Sequence, residues 1–244
     1  VTGRLGTLKA NLADVRDRLD RACAAADRAP AEVELLAVTK TFPASDNALL
    51  AELGLRAFAE NRAQDAAAKV EEFTREHPET EVRWSMVGQL QRNKARSVVR
   101  WADEVQSVDS VRLAGALERA TGNALEAGER TAELDVLVQV CLDERPGRGG
   151  CAPEEIPEIA AAIAGTDTLR LRGLMAVAPL DAEPEPAFAR LAALAEAFRA
   201  EHPDATRLSA GMSGDLEAAI THGSTCVRVG TALLGERALI SPEE

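Results

Sequence analysis

Val33-Glu34-Leu35-Leu36-Ala37-Val38-Thr39-Lys40 is a short apolar run that ends in a lysine, and a helical pattern follows it at 45–53. A run this short and rich in Val and Leu reads as a strand, and the segment after it as a returning helix. The unit recurs downstream. Apolar runs at 55–59, 82–87, 104–108, 134–142, 169–177, 206–209 and 226–229 alternate with helical patterns at 62–77, 90–101, 110–127, 153–164, 185–201 and 214–222. Strands separated by helices pair in parallel through right-handed crossovers. About eight such units in 244 residues suit an α/β fold closed as a (β/α)8 TIM barrel, with an open doubly wound sheet as runner-up. Upstream, Leu5, Leu8, Leu12, Val15, Leu19 and Cys23 recur in helical steps. Residues 1–28 therefore read as a leading amphipathic helix and 33–237 as the barrel, in one domain spanning 1–244.

The net charge of −12 opposes a nucleic-acid surface, since a polyanion would be repelled by the overall field. Arg92, Lys94, Arg96 and Arg100 form a small basic cluster that reads as a solvated helix face. Cys23, Cys141, Cys151 and Cys226 show no CxxC spacing, and no secretory leader or long apolar span is read. A reducing cytoplasm and no membrane partner are expected. His77, His202 and His222 are scattered, the first two in Glu-His-Pro contexts that look like helix ends, so no protein-bound metal is expected. The runs 145–150 and 178–186 are rich in Pro and Gly and read as βα loops.

In a βα barrel the chemistry gathers at the carboxyl ends of the strands, and phosphate is often held after strands seven and eight. Lys40 ends the first strand, Glu60 and Asn61 the second, Gly88 and Gln89 the third, and Met175 the sixth. The turn from Ser209 to Gly214 follows the seventh, and Gly230-Thr231 the eighth. Of the four lysines, Lys9 and Lys69 lie on amphipathic helices and read as solvated, while Lys94 opens a basic helix. Lys40 ends an apolar strand, where burial lowers an amine pKa and packed backbone fixes its direction, although alone it also reads as an ordinary rim lysine. Ser213 reads either as the N-cap of a helix whose first turn holds Asp215 and Glu217, or as a phosphate ligand. Gly230 lets backbone approach an anion closely, and Arg228 shares its strand face. Together the amine and the cradle point to pyridoxal phosphate, an aldehyde cofactor that needs a lysine for a Schiff base and a pocket for its phosphate. An arginine beside the pyridine nitrogen would keep that nitrogen unprotonated.

Ala37-Val38-Thr39-Lys40-Thr41, Phe58-Ala59-Glu60-Asn61, Val87 to Lys94, Leu171-Arg172-Gly173-Leu174-Met175 and Gly211 to Gly235 resemble the YggS/PROSC pyridoxal-phosphate homeostasis proteins, in the family's order over about 33–237. The resemblance implies a single barrel like the amino-terminal domain of alanine racemase, with the cofactor held as an internal aldimine. It implies Lys40 as the Schiff-base lysine and Ser213, Gly214, Gly230 and Thr231 as the phosphate cradle. Arg228 becomes the pyridine-nitrogen partner, and Asn61 and Met212 line the ring. It also implies a role in vitamin B6 and amino-acid homeostasis, with no established turnover; the first functional reading is a carrier that holds the cofactor reversibly and buffers it or hands it to apo-enzymes. Ser85-Met86, Gln89, Arg62 and Arg148 depart from the family's His-Phe, Pro, aromatic and Lys.

The alternative is an amino-acid racemase using the same site. Alanine racemases resemble this barrel but use a tyrosine, supplied across a dimer, as the second acid/base. This sequence contains no tyrosine, so two-sided proton transfer would need another group such as Cys141. No catalytic residue is therefore assigned, and a monomer is expected. A third reading, an aldolase using Lys40 with a sugar phosphate in the cradle, lacks an evident acid/base partner beyond Glu60.

Overall fold

Eight parallel strands close into a barrel in sequence order, the last pairing with the first. The computed structural model describes residues 2–143, 149–179 and 183–236. The strands are β1 (Glu34–Val38), β2 (Ala57–Glu60), β3 (Arg83–Met86), β4 (Glu104–Val108), β5 (Leu134–Cys141), β6 (Leu169–Val177), β7 (Arg207–Ser209) and β8 (Cys226–Val229). The helices are α1 (Thr2–Ala25), α2 (Ala44–Glu52), α3 (Ala63–Glu76), α4 (Ala95–Val98), α5 (Val111–Glu126), α6 (Ile156–Ala164), α7 (Pro184–Glu201), α8 (Leu216–Thr221) and α9 (Thr231–Leu234). Arg148 and parts of the two expected βα loops fall outside the described residues, as does position 237.

Side-chain alternation along each strand makes two separate apolar layers. Leu36, Ala57, Ala59 and Cys226 meet inside the barrel, with Val38 and Val87 against them. Ala37, Phe58, Trp84, Val105 and Val138 face outward into the larger core shared with the helices. In that core Phe58 lies 5.4 Å from Trp84 and 6.3 Å from Phe73, ring centre to ring centre. The leading helix buries Leu8, Leu12, Val15 and Leu19, each Leu contributing about 2 kcal/mol on removal from water. It lies against α8 and α9, where Arg18 meets Glu217 at 2.8 Å and Asn11 Nδ2 donates to the Leu233 carbonyl at 2.9 Å. Helix α1 thereby braces the end of the chain that follows β8.

The expected helix at 90–101 is broken. Gly88 closes against strand β2, where a Cβ would stand 2.1 Å from the Asn61 carbonyl oxygen. The chain leaves this contact extended at Gln91, makes a 3-10 turn over Arg92–Lys94, and only then forms the short α4. Arg92, Arg96 and Arg100 are exposed, and Arg100 pairs with Glu129 at 2.9 Å, as a solvated face would. Gly173 takes φ 149° at a register shift between β5 and β6, and a Cβ there would stand 1.8 Å from the Arg207 carbonyl oxygen. Among the described residues no helix is long and apolar enough to cross a membrane.

Candidate functional site at the carboxyl mouth of the barrel

Leu36 and Val38 face the barrel interior, and the ladder continues one residue further through Thr39 N–H to the Ala59 carbonyl at 3.0 Å. Lys40 follows on the interior face and emerges exposed at the mouth. Thr41, immediately after it, takes φ 71°, a left-handed conformation that a β-branched residue adopts only where its surroundings enforce it. Asn61 occupies the equivalent interior position after β2 and is half-buried.

Thr39 and Glu60 face the other way, into the helix layer. Glu60 is not at the mouth, and Lys69 is not solvated: Lys69 Nζ donates to Glu60 Oε1 at 2.6 Å and to the Thr39 carbonyl at 2.8 Å. Thr39 Oγ1 donates to the same carboxylate oxygen at 2.7 Å, and Asn47 Nδ2 donates to Thr39 Oγ1 at 3.0 Å. The expectation of a water-exposed Lys69 fails because Ala63, Ala66, Lys69, Val70 and Phe73 form one buried stripe of α3. Its ammonium is buried because a carboxylate and a carbonyl meet it there, as a buried charge requires. This network clamps the backbone one residue before Lys40.

The turns after β7 and β8 join. Ser213 Oγ accepts from the Ala232 amide at 3.3 Å, linking Ser213-Gly214 to Gly230-Thr231. Ser213 is not the N-cap of α8. That position belongs to Asp215, whose Oδ1 accepts from the Met212 amide at 2.6 Å. Gly211 makes the turn at φ 91°, where a Cβ would press to 2.6 Å on that of Ala219. A Cβ at Gly230 would lie 3.3 Å from the Val38 carbonyl oxygen, so the second turn touches the strand that carries Lys40. Among the described residues no acceptor meets the amides of Ser213, Gly214 or Thr231. Turn amides left without an acceptor, beside the Ser213 and Thr231 hydroxyls, are groups that can receive an anion such as phosphate.

Arg228 is wholly inside the barrel, 5% exposed, and donates through Nη1 to Ser209 Oγ at 2.7 Å and through Nη2 to the Ala176 carbonyl at 2.8 Å. Among the described residues no carboxylate lies within ion-pair distance of it. Burial pulls its pKa below the ordinary arginine value, partly offset by Cys226 and by Asp215 at longer range. A buried guanidinium with neutral partners is an invitation to an acceptor or anion from the mouth. Met175 is buried on β6 opposite Ser209, and Met212 is half-buried in the turn. On the far rim a cavity of about 160 Å³ is lined by residues that include Gln139, Cys141, Asp143 and Val177, and Cys141 Sγ donates to the Asp143 carbonyl at 3.1 Å.

The sequence-expected residues thus meet on one mouth, while Glu60 and Lys69 lie behind it. Of the departures from the family pattern, Ser85 donates to Glu104 inside the barrel at 3.1 Å. Arg62 is exposed 3.9 Å from Asp65. The polar chain through Glu104, Gln106 and Ser209 was not anticipated, although polar residues at alternate positions of an apolar strand signal it.

A closed parallel βα barrel with a lysine, a buried arginine and a hydrogen-bonded pair of turns on its carboxyl mouth defines the class to which this chain conforms, and the family model "Alanine racemase, N-terminal domain" matches residues 5–238. The chain belongs, more narrowly, to the family of pyridoxal phosphate homeostasis proteins. The protein of that name from Mycobacterium tuberculosis is 49% identical over 240 residues, covering 95% of this chain and 93% of the relative. PipY of Synechococcus elongatus, solved with PLP bound, is 31% identical with a TM-score of 0.76, over 93% of this chain and all of that one. Alanine racemase from Corynebacterium glutamicum shares the fold alone, at 17% identity and a TM-score of 0.64, over 98% of this chain and 63% of the racemase.

Proposed function

We propose that this chain binds pyridoxal phosphate reversibly at the barrel mouth and acts as a carrier that buffers the cofactor or delivers it to apo-enzymes. The observation that carries the reading is that one mouth holds Lys40, amides of Ser213, Gly214 and Thr231 that meet no acceptor among the described residues, and a buried Arg228 with no carboxylate partner among them. A phosphate seats against Ser213, Gly214, Gly230 and Thr231. Arg228 offers N–H groups to the pyridine end, and Asn61 and Met212 flank the ring. Lys40 supplies the amine for a Schiff-base linkage, its direction set by the clamped Thr39 and the strained Thr41. The bound cofactor supplies an aldehyde that amines add to reversibly, which suits storage and release alike. The binding of PLP by PipY and the name of the M. tuberculosis relative support this assignment.

The second reading is an amino-acid racemase. Two-sided proton transfer needs a second group opposite Lys40, and the sequence has no tyrosine to provide it. Cys141, on the rim, is the alternative acid, and its thiol is turned to a backbone carbonyl. The test loads the protein with PLP and measures two quantities side by side: appearance of activity in a PLP-dependent apo-enzyme, and loss of optical rotation in L-alanine and other amino acids. Transfer without racemisation supports the carrier. Steady racemisation at more than about one turnover per second, in the ordinary range of enzymes, replaces it with the second reading.

A further inference from the structure

A single file of polar side chains runs inside the barrel from its amino-terminal end to Arg228. Glu104 Oε2 accepts from Arg83 Nη1 at 3.1 Å and lies 3.1 Å from Arg207 Nε, and both arginines also pair with Glu34. Glu104 Oε1 accepts from Gln106 Nε2 at 2.5 Å, Gln106 Oε1 accepts from Ser209 Oγ at 2.6 Å, and Ser209 Oγ accepts from Arg228 Nη1 at 2.7 Å. Glu104, Gln106, Ser209 and Arg228 are all buried.

The chain has one possible direction. An ionised carboxylate only accepts, so the Gln106 amide must present its NH2 to Glu104 and its oxygen to Ser209. The Ser209 proton is then committed to Gln106, which leaves its lone pairs for Arg228. Charge follows the same logic. Glu34 and Glu104 balance Arg83 and Arg207 at the amino-terminal end, and among the described residues Arg228 stands beyond them as a cation joined to them through neutral groups. The bulge in β4, where the register with β5 shifts between Val105 and Val108, lies beside Gln106.

We infer that Gln106 and Ser209 are positioning residues that fix the angle at which the Arg228 guanidinium faces the pyridine end of the ligand, an assignment that rests on pyridoxal phosphate being that ligand. A guanidinium has only N–H groups to offer, and with the relay intact those left free by Ser209 and the Ala176 carbonyl keep one direction toward an unprotonated ring nitrogen. Breaking the relay at Gln106 frees the Ser209 proton to turn toward Arg228 and releases the guanidinium from its fixed angle. A bound cofactor then meets the guanidinium at no single angle, and its ring nitrogen is held less firmly as an unprotonated acceptor.

The test uses Gln106→Met, close in volume, and Ser209→Ala, each read in two ways. Guanidinium Nε and Nη resonances of Arg228, identified by their loss in Arg228→Lys, are recorded by NMR on the protein without added cofactor. The visible absorption of bound pyridoxal phosphate is then followed against pH. The expected result is faster guanidinium rotation in both variants, a shifted absorption pH profile, and roughly tenfold weaker cofactor binding, the worth of one hydrogen bond to a charged group. A merely structural role would lower stability and leave the Arg228 resonances and the pH profile unmoved, which would overturn the assignment. Wild-type protein that binds no pyridoxal phosphate while its Arg228 resonances still respond to Gln106→Met would overturn the ligand and keep the relay. Normal binding with unresponsive resonances would overturn the relay and keep the carrier.

Discussion

Lys69→Met tests whether the strand end that presents Lys40 is held by a buried ion pair. Lys69 is 10% and Glu60 2% exposed at the side chain, and their charged atoms stand 2.6 Å apart. Removing the ammonium leaves the Glu60 carboxylate with only the Thr39 hydroxyl at 2.7 Å, and leaves the Thr39 carbonyl without its 2.8 Å donor. Breaking a buried pair from one side costs about 3–5 kcal/mol, because the surviving charge is stranded, whereas replacing both partners with neutral groups is nearly neutral. Urea unfolding should therefore show Lys69→Met about 3 kcal/mol less stable at an unchanged m-value, and Lys69→Met/Glu60→Gln restored to within about 1 kcal/mol of wild type. With Glu60→Gln alone costing about the same 3 kcal/mol, the coupling between the two sites would be about 5 kcal/mol. A single variant within about 1 kcal/mol of wild type, or a double variant as unstable as the sum of its parts, would refute the clamp.

Lys40→Ala should abolish covalent attachment of pyridoxal phosphate and change stability by less than about 0.5 kcal/mol, since the side chain is exposed; reduction with borohydride and thermal unfolding check both. Gly88→Ala should destabilise by about 1–3 kcal/mol and weaken cofactor binding together, because the added methyl meets the Asn61 carbonyl; calorimetry and a binding titration read the two effects. Burial pushes the Glu34 carboxyl up, but Arg207 and Arg83 more than offset it, so its folded pKa lies below the ordinary value. Its stabilisation is complete above about pH 4.5 and is lost as the pH falls through the lower folded value, so Glu34→Gln should flatten the acid limb of a stability profile below about pH 4. Arg228→Met should alter the spectrum and affinity of bound cofactor more than the unfolding midpoint, since it fills the same space and removes a costly buried charge; equal spectra would argue against a ring contact.

The barrel was legible because alternation of apolar runs with helical patterns survives small errors at each boundary. The strand expected at 169–177 matches β6 to the residue, whereas that expected at 55–59 lies at Ala57–Glu60. The expected helix at 90–101 failed because periodicity does not report that Gly88 must fit under the Asn61 carbonyl. Lys40, Ser213, Gly230 and Arg228 were proposed from residue type and position, and the structure lays them on strands β1, β7 and β8 or the turns after them, with the two turns sharing one hydrogen bond. Lys69 was misread because lysine on a helix is usually solvated, although its step from Ala66 and to Phe73 placed it on the buried stripe. Glu60 was placed on the wrong face, yet the period of two through Ala57 and Ala59 already assigns it to the helix side. Gln106 escaped notice because its importance lies in partners from β7 and β8, far away in sequence.

The most direct measurement is reduction of the pyridoxal-phosphate-loaded protein with borohydride, followed by mass-spectrometric mapping of the adduct among the four lysines. Modification confined to the peptide bearing Lys40, with loss of the visible band, is the predicted result. A stable adduct on Lys9, Lys69 or Lys94, or none at all after saturation with cofactor, would contradict the assignment of the barrel mouth as the cofactor site.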